Sequence, residues 1–339
     1  MVISAQLRLG GFYPWVTLRL AELPLSPALL AAVVFVVAAV LSNDIVCLSV
    51  APVLAGACTR RGLDPVPYLL ALACAANVGS ALTLIGNPQN MLIGGALGLS
   101  FAGYAGEAAL PVLLGLVATW AIIARQARGR WALPTDARLL DPGDEEAAPL
   151  HRWQSAKGLV VAGVLLLVFL FSAWPRDVVA LAGAGMLLTS RRLHSRKMLG
   201  LVDWELLVLF TGFFVVNHAF EKTGLPAAFM SDLARGGAHL DRPLPLFLAT
   251  LLLSNTVSNV PAVMLLLTAA KHAMAGPLLS LVSTLAGNLF IVGSIANIIV
   301  VDAAARCGVR IDWKAHARVG VPVTLTTLAI AAVYLAVRM

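Results

Sequence analysis

The chain has 339 residues, of which 60% are hydrophobic and only 12% charged, with a mean hydropathy of +0.89 and a formal net charge of +7. That balance excludes a soluble domain, because most of the surface has lipid for its solvent. It also excludes nucleic acid as the partner of the basic groups, since the Lys and Arg fall in short loops between apolar runs and so report membrane topology.

From the amino end, residues 1–12 already read as a membrane segment. Residues 14–23 (PWVTLRLAEL) carry Trp15, Arg19 and Glu22 among apolar neighbours, as an interfacial amphipathic arm does. Residues 27–41 and 45–57 are each shorter than the about 20 residues that cross a bilayer. They flank the polar triplet Ser42-Asn43-Asp44, which predicts a re-entrant hairpin with the triplet at its tip. Asp44 is costly at membrane depth, so it is a candidate proton or cation site as well as a candidate cap for the helix that follows.

Residues 77–90 (NVGSALTLIGNPQN) interrupt an apolar run with small and polar groups. Gly79, Gly86 and Pro88 loosen the i→i−4 ladder, and backbone groups released in a membrane survive only where they line a cavity. Asn77, Ser80, Thr83, Asn87, Gln89 and Asn90 bring the donors and acceptors such a cavity needs. The flanking runs, 68–83 and 90–99, are the two halves of a broken helix. Residues 110–124 make a full span. The composition then changes: residues 125–157 mix Arg125, Arg128, Arg130, Arg138 and Arg152 with Asp136, Asp141, Asp144, Glu145 and Glu146, a hydrophilic linker.

Two spans follow at 158–174 and 178–189, then the basic turn RRLHSRK at 191–197, a span at 204–219 and a second arm at 226–235. Residues 245–253 and 260–270 flank 254–259, predicting a second hairpin with Ser254, Asn255, Thr256 and Asn259 at its tip. A second broken helix, 278–290 and 296–305, surrounds AGNLFIVGSIAN at 286–297, which supplies Asn288, Ser294 and Asn297, and residues 321–337 close the chain.

These features recur in one order. Gly86–Asn90 lies over Gly293–Asn297, the tip triplets Ser42–Asp44 and Ser254–Thr256 are 212 residues apart, and residues 2–12 lie over 215–225 at a shift of 213. Broken segments at matching places in two halves point to the midplane binding site of a secondary transporter; kinked packing helices with small-residue contacts are the structural alternative. The expected organisation is a first repeat at 1–124, a cytoplasmic linker at 125–157 and a second repeat at 158–339. The second half has two spans ahead of the segment matching 2–12 and the first half has none, so the first repeat is expected to lack its first two spans.

With the linker inside, Arg60/Arg61, residues 191–197 and residues 306–318 are all cytoplasmic and Lys271/His272 lie outside, which obeys the positive-inside rule and opens the hairpins from opposite faces. Cys47, Cys58, Cys74 and Cys307 have no metal-ligand spacing. No nucleophile–base pair, HExxH or GxxxxGK[ST] is present, so neither an enzyme nor an ATP-driven pump is indicated, and no cofactor beyond a coupling ion is expected. A channel more usually repeats re-entrant hairpins about an axial pore than pairs them with broken helices.

The motifs resemble those of the ion transporter superfamily, which includes arsenite permeases, NhaD-type sodium/proton antiporters, P-protein-like permeases and divalent anion–sodium symporters. SND at Ser42–Asp44 is similar to the Asn-Asp hairpin tip of the arsenite-permease type. SNTVSNVPAV at residues 254–263 resembles both the Asn-x-Pro tip and the Ser-Asn-Thr signature of the dicarboxylate branch. The first tip carries Asp44 where that branch has Thr, which speaks against dicarboxylate specificity. The resemblance implies an all-α, multi-pass, inner-membrane protein built as an inverted-repeat elevator and working as a homodimer. It further implies transport of a small anion, an oxyanion such as arsenite or a carboxylate, coupled to H+ or Na+, with Na+ near Asn43, Asn87, Asn255 and Asn297. Na+/H+ exchange and an anion channel stay open as alternatives.

Overall fold

The computed structural model describes residues 1–22, 26–40, 43–132, 150–172, 174–190, 193–224, 235 and 239–339. The regular elements among them are helices, with an isolated antiparallel bridge between Leu63 and Ala132 as the one β feature. The tip residue Ser42, most of the linker (133–149) and the second arm up to residue 234 lie outside the described residues, as do the side chains of Asn43, Asp44 and Glu221.

The membrane segment expected at 1–12 is instead a short helix, α1 (Val2–Leu9). It stops at Gly10-Gly11, where Gly11 has φ 70° and turns the chain into α2 (Phe12–Glu22). The expected interfacial arm is thus a helix in contact with α3 (Pro27–Val40) and α4 (Asn43–Arg60). Next come α5 (Pro65–Ser80), α6 (Pro88–Ala96) and α7 (Phe101–Gln126). α7 begins nine residues before the predicted span, because Ser100 caps it by accepting from the Gly103 N–H. After the linker come α8 (Arg152–Phe171), which takes in the linker's last residues, then α9 (Arg176–Leu188), α10 (Ser195–Leu199) and α11 (Trp204–Lys222). The chain closes with α12 (Pro243–Thr256), α13 (Asn259–Leu266), α14 (Ala275–Ala286), α15 (Ile295–Arg306) and α16 (Trp313–Arg338). Among the described residues, α7, α8 and α16 are long and apolar enough to cross a bilayer alone.

Two helices sit at the centre. Every residue of α14 is buried, and so is every residue of α5 from Tyr68 to Ser80. Neither shows a polar face, because each is wrapped by neighbours. Their small residues, Ala71, Ala73, Ala75, Ala76 and Gly79 in α5 and Gly276, Ser280 and Ser283 in α14, let those neighbours approach. One apolar core gathers around α5 with α3, α4 and α15, and a second around α14 with α7, α13 and α16.

The packing has a reciprocal pattern. α3 lies on α5 as α12 lies on α14, and α5 on α7 as α14 on α16. α4 packs on α15 as well as on α5, and α13 on α6 as well as on α14. α5 meets α14, and α7 meets α16, at the middle. The outer faces remain apolar, with Leu113 and Val117 on α7, Val160, Val164 and Phe171 on α8, and Leu325 and Val333 on α16 exposed, as lipid contact requires.

Candidate functional site

The site lies where the two helix breaks meet. α5 ends at Ser80, and α6 restarts at Pro88, which needs no N–H partner at a first-turn position, under an Asn87 cap whose Oδ1 accepts the Asn90 N–H at 2.8 Å. α14 ends at Ala286, and α15 restarts under Ser294, whose Oγ accepts the Ala296 N–H at 3.2 Å. Helix ends leave backbone groups without intrahelical partners, and here side-chain amides take them up. Asn90 Nδ2 donates to the Ser80 and Thr83 carbonyls at 3.4 and 3.1 Å. Asn297 Nδ2 donates to the Gly287 and Phe290 carbonyls at 2.8 and 3.1 Å.

Donor and both acceptors recur 207 positions later, and so do the bonds that cross between the halves. Asn297 Oδ1 accepts from Asn77 Nδ2 at 3.0 Å, and its counterpart Asn90 Oδ1 accepts from Thr284 Oγ1 at 3.4 Å. Asn87 Nδ2 donates to Thr284 Oγ1 at 3.0 Å, and Ser294 Oγ donates to Asn77 Oδ1 at 2.7 Å. Asn77 Nδ2 also reaches Asn288 Oδ1 at 2.8 Å. Each break therefore holds the other through a side chain in the last turns of the first half-helix.

The long helices close the two flanks. Tyr104 of α7 donates to the Ala81 carbonyl at 2.6 Å, accepts from Asn90 Nδ2 at 3.3 Å and contacts Ser280 Oγ at 2.5 Å. Ser280 in turn donates to Asn90 Oδ1. His316 of α16 bonds the carbonyl of Asn288 at 3.0 Å through Nε2. Ala81 and Asn288 are again 207 apart, and Tyr104 and His316 are 212 apart.

At the second tip, Asn259 Nδ2 donates to the Gly293 carbonyl at 3.3 Å, and Asn255 Nδ2 to Leu251 at 3.1 Å. The Oδ1 atoms of Asn255 and Asn259 and the Oγ of Ser254 are buried without a hydrogen-bond partner. Asn255 Oδ1 lies 3.2 Å from where a Cβ on Gly293 would stand, so the tip abuts the second break. Ser258 has φ 92° and ψ 154°, a region nearly reserved for glycine, at the bend into α13.

The sequence-predicted residues divide accordingly. Asn77, Ser80, Asn87, Asn90, Asn288, Ser294 and Asn297 are brought together in one buried network. Asn255 and Asn259 stand at its edge. Thr83 joins through its carbonyl rather than its hydroxyl, and Thr256 is exposed, its hydroxyl turned back to the Leu252 and Leu253 carbonyls. Ser42 lies outside the described residues, and for Asn43 and Asp44 the backbone start of α4 alone is described. Each cluster draws on both halves, for Asn77 sits with Ser294 and Asn297, and Thr284 with Asn87 and Asn90. Sequence reasoning missed Thr284, Ser280, Tyr104 and His316. Extending the Gly86/Gly293 match upstream sets Thr284 over Asn77 and finds the first; Tyr and His differ in kind and gave no such signal.

A family profile described as citrate transporter matches residues 1–286. The chain belongs to the citrate transporter family. Over 365 aligned residues it is 30% identical to the 46 kDa membrane protein of Mycobacterium leprae, covering all of this chain and 84% of that protein. It is 31% identical over 326 residues to the inner membrane protein YbiR of Escherichia coli K12, covering 93% of this chain and 80% of that one. It is 29% identical over 366 residues to the silicon efflux transporter LSI3 of Oryza sativa subsp. japonica, covering 86% and 74%. The matched profile is that of a transporter, one of these relatives is named a transporter and the other two membrane proteins, and this chain, with its apolar helices, is a multi-pass membrane protein.

Proposed function

We propose that this chain is a secondary active transporter of a small anion, an inorganic oxyanion or a carboxylate, driven by a gradient of H+ or Na+. One observation carries the proposal: two broken helices exchange side-chain hydrogen bonds reciprocally at their breaks, at a constant offset, in a buried polar cluster. A packing kink needs its freed backbone groups satisfied locally and has no need of matching amides in both halves. The reciprocal packing supports two inverted repeats, 1–124 and 158–339, joined by the 125–157 linker. In an elevator the hairpins and broken helices move together against a scaffold, and dimerisation holds the scaffold still.

The half-helix starts at α6 and α15 present N–H groups to an anion, and the ends of α5 and α14 present carbonyls to a cation. The unpartnered Oδ1 atoms of Asn255 and Asn259 are hard oxygen ligands of the kind Na+ takes. A bound anion replaces some of the amide–hydroxyl bonds among Asn77, Asn87, Thr284 and Ser294, so part of its binding energy goes into opening the network. The test is purified protein in liposomes, with labelled arsenite, citrate, succinate, phosphate, sulfate and silicic acid under imposed Na+ and H+ gradients. Gradient-driven accumulation of at least one probe is expected. Flux that equilibrates each probe regardless of gradient overturns the carrier reading in favour of a channel.

A further inference from the structure

Among the described residues, His316 is the one buried histidine, the side-chain type whose ordinary pKa lies near neutrality, and holding the Asn288 carbonyl does not by itself require a titratable group. Its place is well defined. A backbone carbonyl only accepts, so the bond to the Asn288 oxygen fixes a proton on Nε2, and the proton that comes and goes belongs to Nδ1. The ring sits against the residues that follow the last turn of α14, at the negative end of that helix's dipole, which favours a cation. It also adjoins the hub of the second cluster, for the side chain of Asn288 binds Asn77, and Asn77 binds Ser294 and Asn297. Gly320 makes room for this contact: a Cβ there would lie 2.3 Å from the Asn288 oxygen and 2.9 Å from His316 Nε2.

The charged and titratable groups around the ring are few. α14 carries none, and α5 carries Tyr68 and Cys74. α7 carries Tyr104, Glu107 and Arg125, of which Tyr104 is engaged at the other break and Glu107 binds Tyr334 and Arg338. On α16 itself, Lys314 and Arg318 stand two residues to either side and so point to the opposite face. Asp312, one turn earlier, caps the helix through the Ala315 N–H at 2.7 Å. Among the described residues His316 is in no ion pair. At the matching position of the first break stands Tyr104, holding the Ala81 carbonyl with a hydroxyl that keeps its proton throughout the physiological range.

We propose that His316 is a proton-binding group of the transport site, taking up a proton on Nδ1 as an anion enters the Asn77–Asn297 cluster, while its counterpart Tyr104 makes the same backbone contact without titrating. This rests on the carrier reading above and deepens it: the charge added at His316 offsets that of the anion, so proton and anion bind together and acidification strengthens anion binding. Linkage of one proton changes the apparent affinity by at most about tenfold per pH unit across the titration.

Two readouts test it, and one needs no substrate. In full-length protein in nanodiscs with 15N-labelled histidine and asparagine, the ring signal absent from H316Q should titrate between pH 5 and 8, and the Asn77 side-chain amide should shift with the same midpoint. A ring that keeps one charge state over that range, or one that titrates without moving Asn77, overturns the proposal even if transport is robust. In liposomes, the apparent affinity for each labelled anion of the panel is measured from pH 5 to 8 for wild type, H316Q and H316Y, the last copying Tyr104. The ratio of variant to wild-type affinity should fall by up to tenfold per unit on acidification, since the probe's own titration cancels; a ratio that stays constant overturns it. Failure of every probe to accumulate in wild type strikes the carrier reading instead, and the resonance titration still decides the proton site.

Discussion

Replacing Gly86 by Ala tests whether the first break needs its close backbone approach. A Cβ at Gly86 would stand 2.0 Å from the Ser80 carbonyl oxygen and 2.8 and 2.9 Å from the carbonyl carbon and Cα of the same residue. Ordinary contact begins at 3.4 Å, so the backbone must part by about 1.4 Å, and no flexible side-chain end is there to yield. That oxygen is the acceptor for Asn87 Nδ2 at 3.5 Å and Asn90 Nδ2 at 3.4 Å, so the same movement pulls two amides off their partner. Overpacking of about 1–3 kcal/mol, with two hydrogen bonds at about 0.5–1.5 kcal/mol each, gives a loss of about 2–6 kcal/mol. At the matching Gly293, the added Cβ meets the Gly287 oxygen at 3.0 Å and Asn255 Oδ1 at 3.2 Å, a misfit of a few tenths of an ångström. The expected order of stability is therefore wild type, then Gly293→Ala, then Gly86→Ala. Monodisperse protein remaining after graded heating in detergent, followed by size-exclusion fluorescence, measures it. If Gly86→Ala survives heating as well as wild type, the two strands of the break are not in the contact described and the site is built otherwise.

Asn297→Ala leaves the Gly287 and Phe290 carbonyls and the Asn77 amide short of a partner; at about 1–3 kcal/mol for an unsatisfied buried group, uptake should weaken at least tenfold, read as apparent affinity in liposomes. Tyr104→Phe keeps the ring and removes a hydroxyl bonded to Ala81, Asn90 and Ser280, so it should lower thermal stability by about 1–3 kcal/mol without altering insertion. Ser258→Gly should relieve about 1–3 kcal/mol of backbone strain at the second tip, and a thermal midpoint below wild type would contradict that. In a cysteine-free background, single cysteines at the exposed positions Ser195 and Arg310 should resist an impermeant maleimide in whole cells while Lys271→Cys is labelled; the reverse pattern inverts the topology.

Much of this protein is legible in local chemistry. Apolar runs interrupted by Gly, Pro and Asn reported a membrane protein with two broken helices, because each break must carry its own caps and spare donors within a few residues. The caps at Asn87 and Ser294 and the small residues of α5 and α14 follow from the same local demands. Helix ends were less legible: α1 stops early because Gly11 turns left-handed, and α7 and α16 extend past their apolar stretches because Ser100 and Asp312 cap them.

What only the tertiary structure decided is which polar groups meet. Asn77 lies in the same stretch as Asn87 and Asn90, yet it binds Asn288, Ser294 and Asn297, while Asn90 turns to Ser280 and Thr284. Periodicity within a segment fixes the face on which a side chain lies, but the neighbour on that face is set by how α5 crosses α14, and those helices are about two hundred residues apart in the chain. The same holds for Tyr104 and His316, which lie ahead of the spans read from the sequence at 110–124 and 321–337, with nothing to mark them. Their roles follow from packing alone, since a buried hydroxyl or imidazole must find a partner, and the carbonyls freed at the two breaks are the acceptors that the crossing brings within reach.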